Sequence, residues 1–545
     1  MFARVKTSGK YQYLQIVENR REGAKTRQRV IATIGRMDQI QQKETVETLV
    51  RSLSRFSEKV LMVLSGTGDV DAHSRTIGPA LIFDRIWKES GIQRVLRDHL
   101  SERKFAFDVE RAIFLTVLHR LFVSGSDRDC DRWRRDQVIE GVDDLSLHHL
   151  YRAMAYLGDE IEDQQDRTPF SPRCTKDVIE EDVFLLRRDL FTGLDLVFFD
   201  TTSLYFEGDG GDSLGERGHS KDHRPDLKQM VVGVIIDDQG NPVCCEMWPG
   251  NTADVSTLVP VIKRLRSRFA IGQVCIVSDR GMISVGTMTY LEEERVPYIL
   301  GARMRQVREI KAEVLSRAGR YRDVHPEGSS SRDPSPLKVK EVRVDDRRYI
   351  VCLNEKQARK DAADREAILA ALQEKLKADP KSLVGNKGYR RYLKVDRETV
   401  VINQDRIDQE ARYDGKWVLK TNTTLSAEQV ALRYKELWQV EQVFRDMKSI
   451  LETRPIYHQQ DATIRGHVFC SFLALMLRKE LDRRLEKAGC SFEWTDIKRD
   501  LTALQEITLD DKGKRLAIRS QCLGSCGKVF QAVGVALPQT IRELP

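Results

Sequence analysis

Tyr434, Glu441 and Lys448 recur at seven-residue intervals within one segment of the chain. Seven residues at about 100° each make nearly two helical turns, so on a helix the phenol, carboxylate and ammonium share one face. Together they suit a phosphodiester. A carboxylate holds a divalent metal, an ammonium neutralises a phosphate, and a phenol hydrogen-bonds or stacks beside a strand. The helix has its own signals: a capping box in Ser426 and Gln429, and an apolar face of Leu432, Leu437, Val440, Val443 and Phe444. An ordinary amphipathic helix with a solvated face has the same spacing, so the stripe alone decides nothing.

Two more carboxylates stand at the ends of apolar runs. Leu196 to Phe199 reads as a buried strand ending on Asp200, and Gln273 to Val277 as a second strand delivering Asp279. With Glu441 they offer three carboxylates from separated elements to one edge of a sheet, which is the donor set of a divalent-metal site. Two Mg²⁺ ions there would suit in-line phosphoryl transfer, one activating the attacking oxygen and the other stabilising the leaving one. Thr201, Thr202 and Ser203 supply hydroxyls to orient Asp200, and Gly281 lets backbone approach Asp279. Asp254 reads as the N-cap of a helix over Val255 to Arg268, and Asp237 and Asp238 as turn residues.

These residues resemble those of the DDE insertion-sequence transposases, whose signature is two aspartates followed by Tyr-(2)-Arg-(3)-Glu-(6)-Lys. The resemblance covers roughly residues 195 to 470 and takes in Gly218 to Gln229, Gly250 to Asp254 and Arg454 to His458. One position departs from it. The arginine of the signature falls on Leu437, so its phosphate contact is missing or passes to Arg433 or Arg445.

The resemblance implies an α/β fold: a ribonuclease H-like mixed-sheet core interrupted by a strand-rich insertion before Glu441. It implies Mg²⁺ as cofactor, two ions, with Mn²⁺ as a substitute, held by Asp200, Asp279 and Glu441. Its partner would be double-stranded DNA, both element ends and target, bound by a homodimer. The implied reaction hydrolyses DNA at the element ends to free a 3′ hydroxyl, which then attacks target DNA. A ribonuclease H-like nuclease or resolvase without strand transfer is one alternative; a non-catalytic DNA-binding relative is another, weighed against by the presence of all three carboxylates.

The elements that must position these groups are legible in the patterning. From Leu194 to Leu300 the order is three strands, helix, strand, helix, strand, which agrees with the implied core. The chain divides into an αβ module (1–75), a helical region (76–190), the core (191–305 and 425–490), a β-rich insertion (306–424) and a C-terminal tail (491–545). The module carries strand-like runs at Tyr11 to Val17 and Gln28 to Ile34 and a helix at Gln41 to Phe56. The helical region, with runs at Ala80 to Trp87, Ile92 to Leu100, Val109 to Phe122 and Leu147 to Leu157, suits either DNA reading by a helix-turn-helix or a plain bundle.

The 545 residues are 41% hydrophobic, enough for several cores, and a net charge of +7 permits a polyanionic partner without requiring one. Ten cysteines without paired CxxC units read as reduced thiols. The longest apolar run, Val468 to Leu477, is too short to span a bilayer, and the expected location is the cytoplasm, on the nucleoid when DNA is bound. For DNA contact the candidates are Lys221, Arg224 and Lys228; Arg303, Arg305 and Arg308; Tyr389, Arg390, Arg391 and Tyr392; and Tyr434 and Lys448, the other reading of each cluster being a charged surface. His458 and His467 lie near the site in sequence; a buried, hydrogen-bonded histidine is the plainer reading.

Overall fold

A computed structural model describes residues 2–22, 25–37, 71–165, 167–168, 171–187, 195–269, 274–325, 337–378, 392–395, 400–511 and 514–544. The chain forms two units, one of Met1–Gly78, Arg499–Gly527 and Ala536–Pro545, the other of Pro79–Lys498 and Lys528–Val535.

In the first unit β1 (Phe2–Ser8), β2 (Tyr11–Glu22) and β3 (Lys25–Arg36) make an antiparallel meander. Both strand-like runs of the entry module are therefore strands. The helix expected over Gln41 to Phe56 lies outside the described residues. A fourth strand, β4 (Asp71–Thr76), pairs antiparallel with Gln505–Asp511, so the residues expected to be a C-terminal tail return to build a sheet with it.

The second unit begins with helices α1 (Gly78–Glu89), α2 (Ile92–Leu100), α3 (Val109–Phe122), α4 (Asp127–Trp133), α5 (Leu147–Gly158) and α6 (Thr175–Arg187). Every residue of α3 is buried, Glu110, Arg111 and Arg120 included, so this helix has no face to offer a DNA groove. Capping follows the sequence: Asp108 accepts from the Arg111 backbone N–H at the start of α3.

The catalytic-type core follows. It consists of β5 (Leu196–Tyr205), β6 (Gln229–Asp237), β7 (Pro242–Pro249), α7 (Leu258–Arg268), β8 (Cys275–Ser278), α8 (Val285–Glu293) and β9 (Tyr298–Gly301). The order across the sheet is β7-β6-β5-β8-β9, with β5, β6 and β7 antiparallel and β8 and β9 parallel to β5. This is the ribonuclease H-like arrangement expected from the order of elements. Along β5, Val197 and Phe199 face a core built with Leu258, Val261, Ile262 and Leu265 of α7 and Leu291 of α8. Strand alternation therefore turns Phe198 and Asp200 to the opposite face.

The insertion contributes β10 (Arg322–Asp323), β11 (Leu337–Val344), β12 (Arg347–Asn354), α9 (Glu355–Ala378), the small hairpin β13 (Leu393–Val395) and β14 (Val400–Ile402), α10 (Gln404–Ala411) and β15 (Lys416–Thr421). It is not a separate sheet. β15 pairs antiparallel with β9, Leu419 opposite Gly301, and extends the core to nine strands in the order β10-β11-β12-β15-β9-β8-β5-β6-β7. The unpaired edge of β9 explains this, since an open edge is a template for any strand nearby.

After it come α11 (Ala427–Lys435), α12 (Trp438–Ser449) and α13 (Asp461–Lys487). α13 packs on α5 and α3, which joins the helical region to the core. Two glycines allow this: a Cβ on Gly466 would meet the Met154 carbonyl oxygen at 1.9 Å, and one on Gly158 the Ala462 carbonyl oxygen at 1.9 Å.

A buried ionic lattice makes the second joint. Arg268, at the end of α7 and fully buried, reaches Glu180 (2.6 Å), Glu181 (2.7 Å), Glu246 (3.1 Å) and Asp177 (3.3 Å). Arg264 pairs with Glu246 (2.8 Å) and Asp177 (3.0 Å), and Lys176 with Asp177 (2.7 Å) while donating to the Cys245 carbonyl (2.7 Å). α6, β7 and α7 are thus tied by charges that no water screens, and removing one partner strands the others. Arg268→Met is expected to destabilise the protein by about 3–5 kcal/mol, read as a shift in the urea midpoint at unchanged slope; a change under about 1 kcal/mol would mean that the lattice contributes little.

Candidate active site

β5 and β8 run parallel with Phe199 opposite Ser278, so the residues that follow, Asp200 and Asp279, stand side by side on adjacent strands. Asp200 is not at a strand end, as its sequence suggested, but in the middle of β5, paired across to Val234 of β6. The β-branched Thr201 and Thr202 continue the strand to Tyr205. Asp279 does follow the last residue of β8, as expected.

The Asp200 carboxyl is pushed up to about 6 by burial, with the nearby Asp279 and Asp254 carboxylates raising it further and the Lys221 ammonium and the Thr201 backbone N–H opposing them. Two carboxylates repelling one another beside a sheet edge are a donor set that a divalent cation relieves. In this sense the residues present fit a hard metal ion.

Glu441 arrives on α12, which packs against β5. Val440, Phe444 and Met447 form its buried side, while Glu441 is exposed and makes no hydrogen bond or ion pair with the described residues. The three acids are not drawn into one tight cluster. Among the described residues, the group of three acidic, histidine or cysteine side chains whose ligand atoms all lie within 4.8 Å of one another is Asp127, His458 and His467.

The single helix expected through Tyr434, Glu441 and Lys448 is broken in two. Its capping box is in place, with Ser426 Oγ accepting from the Gln429 N–H and Gln429 Oε1 from the Ser426 N–H. At Glu436 and Leu437, however, the backbone tightens: Leu437 N–H bonds to the Tyr434 carbonyl and Val440 N–H to the Leu437 carbonyl. Each such residue adds roughly 20° of rotation over an α-helical one, which takes Tyr434 off the Glu441 stripe. Leu437, at the departed arginine position, is buried and supports this joint.

Tyr434, read from sequence as a DNA contact, donates its hydroxyl to Asp279 Oδ1 at 3.0 Å. Gly301 makes the room, since a Cβ there would meet the phenol oxygen at 2.4 Å. Burial and the Asp279 carboxylate push the phenol's pKa up, so it stays a donor. Arg303, also a DNA candidate, is turned inward: Nε donates to the Arg280 carbonyl (3.1 Å) and Nη2 to the Gly281 carbonyl (3.2 Å), pinning the loop after Asp279. Gly281 itself has room, a Cβ there meeting only Asp254 Oδ2 at 3.8 Å.

Lys448 donates to Asp222 Oδ1 at 2.8 Å, and Arg454 Nε lies 2.9 Å from Asp222 Oδ2. Lys221 donates to the Thr201 carbonyl (2.7 Å) and Thr201 Oγ1 (2.8 Å) and lies 3.2 Å from Asp254 Oδ2. Arg224 is half-buried and paired with Asp226 at 2.9 Å. Arg390, Tyr389 and Arg391 lie outside the described residues; Tyr392 is buried. Of the two arginines that could replace the missing one, Arg433 pairs with Glu436 at 3.3 Å and Arg445, one turn beyond Glu441, donates to Gln442 Oε1 at 3.0 Å.

Asp254 is not an N-cap. It opens a short 3-10 turn, and its side chain accepts from Thr201 Oγ1 at 2.7 Å beside Lys221. Its place near Asp200 is a consequence of β7 running back along the sheet, which no local signal announces. Trp438, 58% exposed one turn before Glu441, was also missed, although an indole off the apolar face is itself a signal. Asp279, Arg280, Arg305 and Tyr434 border a cavity of about 690 Å³ that the insertion lines with Arg365, Tyr413 and Trp417.

A Transposase DDE domain family model matches residues 192–477, and an IS1634 family transposase N-terminal domain model matches residues 3–66. The chain belongs to the DDE transposases. Among solved structures, a piggyBac transposase synaptic complex with hairpin DNA resembles this transposase with 12% identity and a TM-score of 0.36, over 78% of this chain and 79% of that one. No curated protein matches the chain by sequence. As a DDE transposase it is an enzyme that acts on DNA, and such domains generally use divalent metal.

The Asp127, His458 and His467 group does not take that part in the transposase. His467 is fully buried, with Nε2 3.0 Å from the Thr453 carbonyl, and the Arg120 guanidinium lies 2.9 Å from the Nδ1 that a metal would need. A cation already occupies that corner. The plainer reading of His467, a buried and hydrogen-bonded histidine, is the observed one.

The raised Asp200 pKa has a stability consequence. The folded protein holds this proton to about 6, the unfolded chain only to 3.8, so the group's stabilising contribution is present below that window and is lost as pH rises through it. In metal-free protein, melting curves of Asp200→Asn against the parent are expected to show the variant gaining relative stability between pH 4 and pH 6; parallel pH profiles would refute the burial assigned to Asp200.

Proposed function

We propose that this transposase cuts DNA at the ends of an insertion sequence and joins the freed 3′ hydroxyl to target DNA by two-metal phosphoryl transfer. The observation that carries the reading is the side-by-side placement of Asp200 on β5 and Asp279 just after β8, with the helix that bears Glu441, α12, packed against β5. Asp200, Asp279 and Glu441 would hold the ions, Mg²⁺ or in its place Mn²⁺, through hard carboxylate oxygens. When bound, the ions supply charge stabilisation for the attacking and leaving oxygens.

The protein's own groups do the rest. Tyr434 fixes the Asp279 carboxylate. Glu441, without a partner among the described residues, would supply the third carboxylate. Lys448, Arg445, Arg224 and Arg390 contact phosphates, so binding weakens steeply with salt. The enzyme acts as a homodimer, because two element ends are held together, and it works in the cytoplasm at the nucleoid. In line with a DNA-side enzyme, none of the described helices is long and apolar enough to cross a membrane.

The test is incubation with Mg²⁺, a labelled duplex carrying the sequence that flanks the gene, and a target plasmid. Joined product is expected. Asp200→Asn, Asp279→Asn and Glu441→Gln should each lower cleavage and joining by on the order of 10²–10³-fold or more while DNA binding persists. Cleavage without joined product would make the protein a nuclease or resolvase, and full activity in any variant would remove that residue from the site.

A further inference from the structure

Between β5 and β6 the chain from Phe206 to Lys228 contains no regular element. It is a strap fixed at its ends: Phe206 bridges to Ile456, Glu216 to Gln229, and Gly218 sits so close to Gly250 that a Cβ would meet the Gly250 carbonyl at 1.9 Å. Beyond Gly218 the contacts change character. Two consecutive residues, Lys221 and Asp222, enter the cleft with opposite charges and find opposite partners.

The Lys221 ammonium sits against Asp254, Thr201 Oγ1 and the Thr201 carbonyl, an all-oxygen environment next to Asp200. The Asp222 side chain, only 7% exposed, sits between Lys448 and Arg454. That Asp222–Arg454 contact is ionic without being a well-directed hydrogen bond, since both Arg454 Nε and Asp222 Oδ2 lack an aligned partner although they are 2.9 Å apart. A guanidinium with its donors misaligned on a carboxylate is a site whose geometry a different oxyanion can fill better. His223, the next residue, is held at φ 57°, a left-handed conformation that non-glycine residues adopt at a cost.

We propose that this strap is a built-in plug of the catalytic cleft: in the free protein Lys221 stands in for a metal cation among the acids, and Asp222 stands in for a DNA phosphate on Lys448 and Arg454. The inference rests on the transposase reading above and adds to it an occupant and a displacement. Both surrogates lie on adjacent residues, so they leave together. DNA brings a phosphate for Lys448 and Arg454, metal ions replace the ammonium beside the acids, and the strap beyond Gly218 lifts. The device keeps Asp200 and Asp254 compensated by Lys221, and Lys448 and Arg454 by Asp222, when no substrate is bound, because buried charges without partners are costly. It also makes binding of duplex and of metal mutually favourable, since each removes half of the same plug.

The experiment is hydrogen–deuterium exchange on the full chain, alone and with Mg²⁺ and a labelled duplex of the gene-flanking sequence, binding being followed separately by fluorescence anisotropy. Exchange within residues 219–226 is expected to quicken by about tenfold or more on binding, led by the Lys221 amide, which in the free protein donates to Ser203 Oγ at 2.8 Å. Asp222→Asn should tighten binding to the duplex by about tenfold and steepen its salt dependence, because two cations are released to phosphates. That gain should vanish when Lys448→Ala and Arg454→Ala are added.

A strap whose exchange stays the same or slows while the duplex is bound overturns the plug, and so does an Asp222→Asn protein with a normal melting curve that binds no more tightly. Should that variant fail to fold, exchange in the unaltered chain decides alone. Loss of cleavage in the three acid variants with an unmoved strap leaves the transposase reading standing and defeats only the plug; a protein that binds no duplex at low salt defeats both.

Discussion

The parallel pairing of β5 with β8 is the constraint on which the rest depends. It puts two aspartates abreast on neighbouring strands, where water is scarce and their charges repel. Nothing local to either aspartate stabilises that arrangement. It persists because the strands are buried on both faces and because the groups around it, Tyr434 on Asp279 and Lys221 and Thr201 beside Asp200 and Asp254, supply donors at the places where the carboxylates would otherwise be alone. The site is a tolerated electrostatic conflict, and a divalent cation is the species that resolves it.

The remainder of the second unit serves to keep that edge in place. One joint is apolar: α13 lies on α5 through the glycine contacts at Gly158 and Gly466, and its buried face continues into the helical region. The other is ionic, with Arg268 at its centre, and it ties α6 to β7 and α7, the elements that flank Asp254. The insertion is continuous with the core sheet through β15 and β9, so a residue such as Gly301 serves both the sheet and the phenol of Tyr434. Within the helical region α3, buried along its whole length, acts as scaffold.

Much of the core was legible because its signals are local. Buried strands read as short apolar runs, the helices Ile92–Leu100 and Val109–Phe122 match their periodic runs to the residue, and the capping box at Ser426 fixed the start of α11. The misreadings share a cause. Asp254 looked like a cap because aspartate before a helix usually is one, whereas its side chain meets Thr201 and Lys221; a basic residue likewise carries no local sign of the partner it takes in the free chain, as Lys221 does with Asp254 and Arg303 with the Arg280 carbonyl. Tyr434 left the stripe because a tightening of about one turn, supported by buried Leu437, changes a helical phase that the seven-residue spacing assumed constant.

The sequence by itself determined the inventory: two aspartates after apolar runs, a glutamate with basic and aromatic company, and the order of strands and helices between them. Residue type and local periodicity are properties of neighbours along the chain, so they can be read there. Only the tertiary structure decided which charges meet. The pairing of Asp200 with Asp279, the turn of Asp254 toward Lys221, the seat of Asp222 between Lys448 and Arg454 and the independence of Glu441 are all set by strand register and packing between segments well separated along the chain, and electrostatic contact depends on distance in space, to which spacing in sequence is no guide.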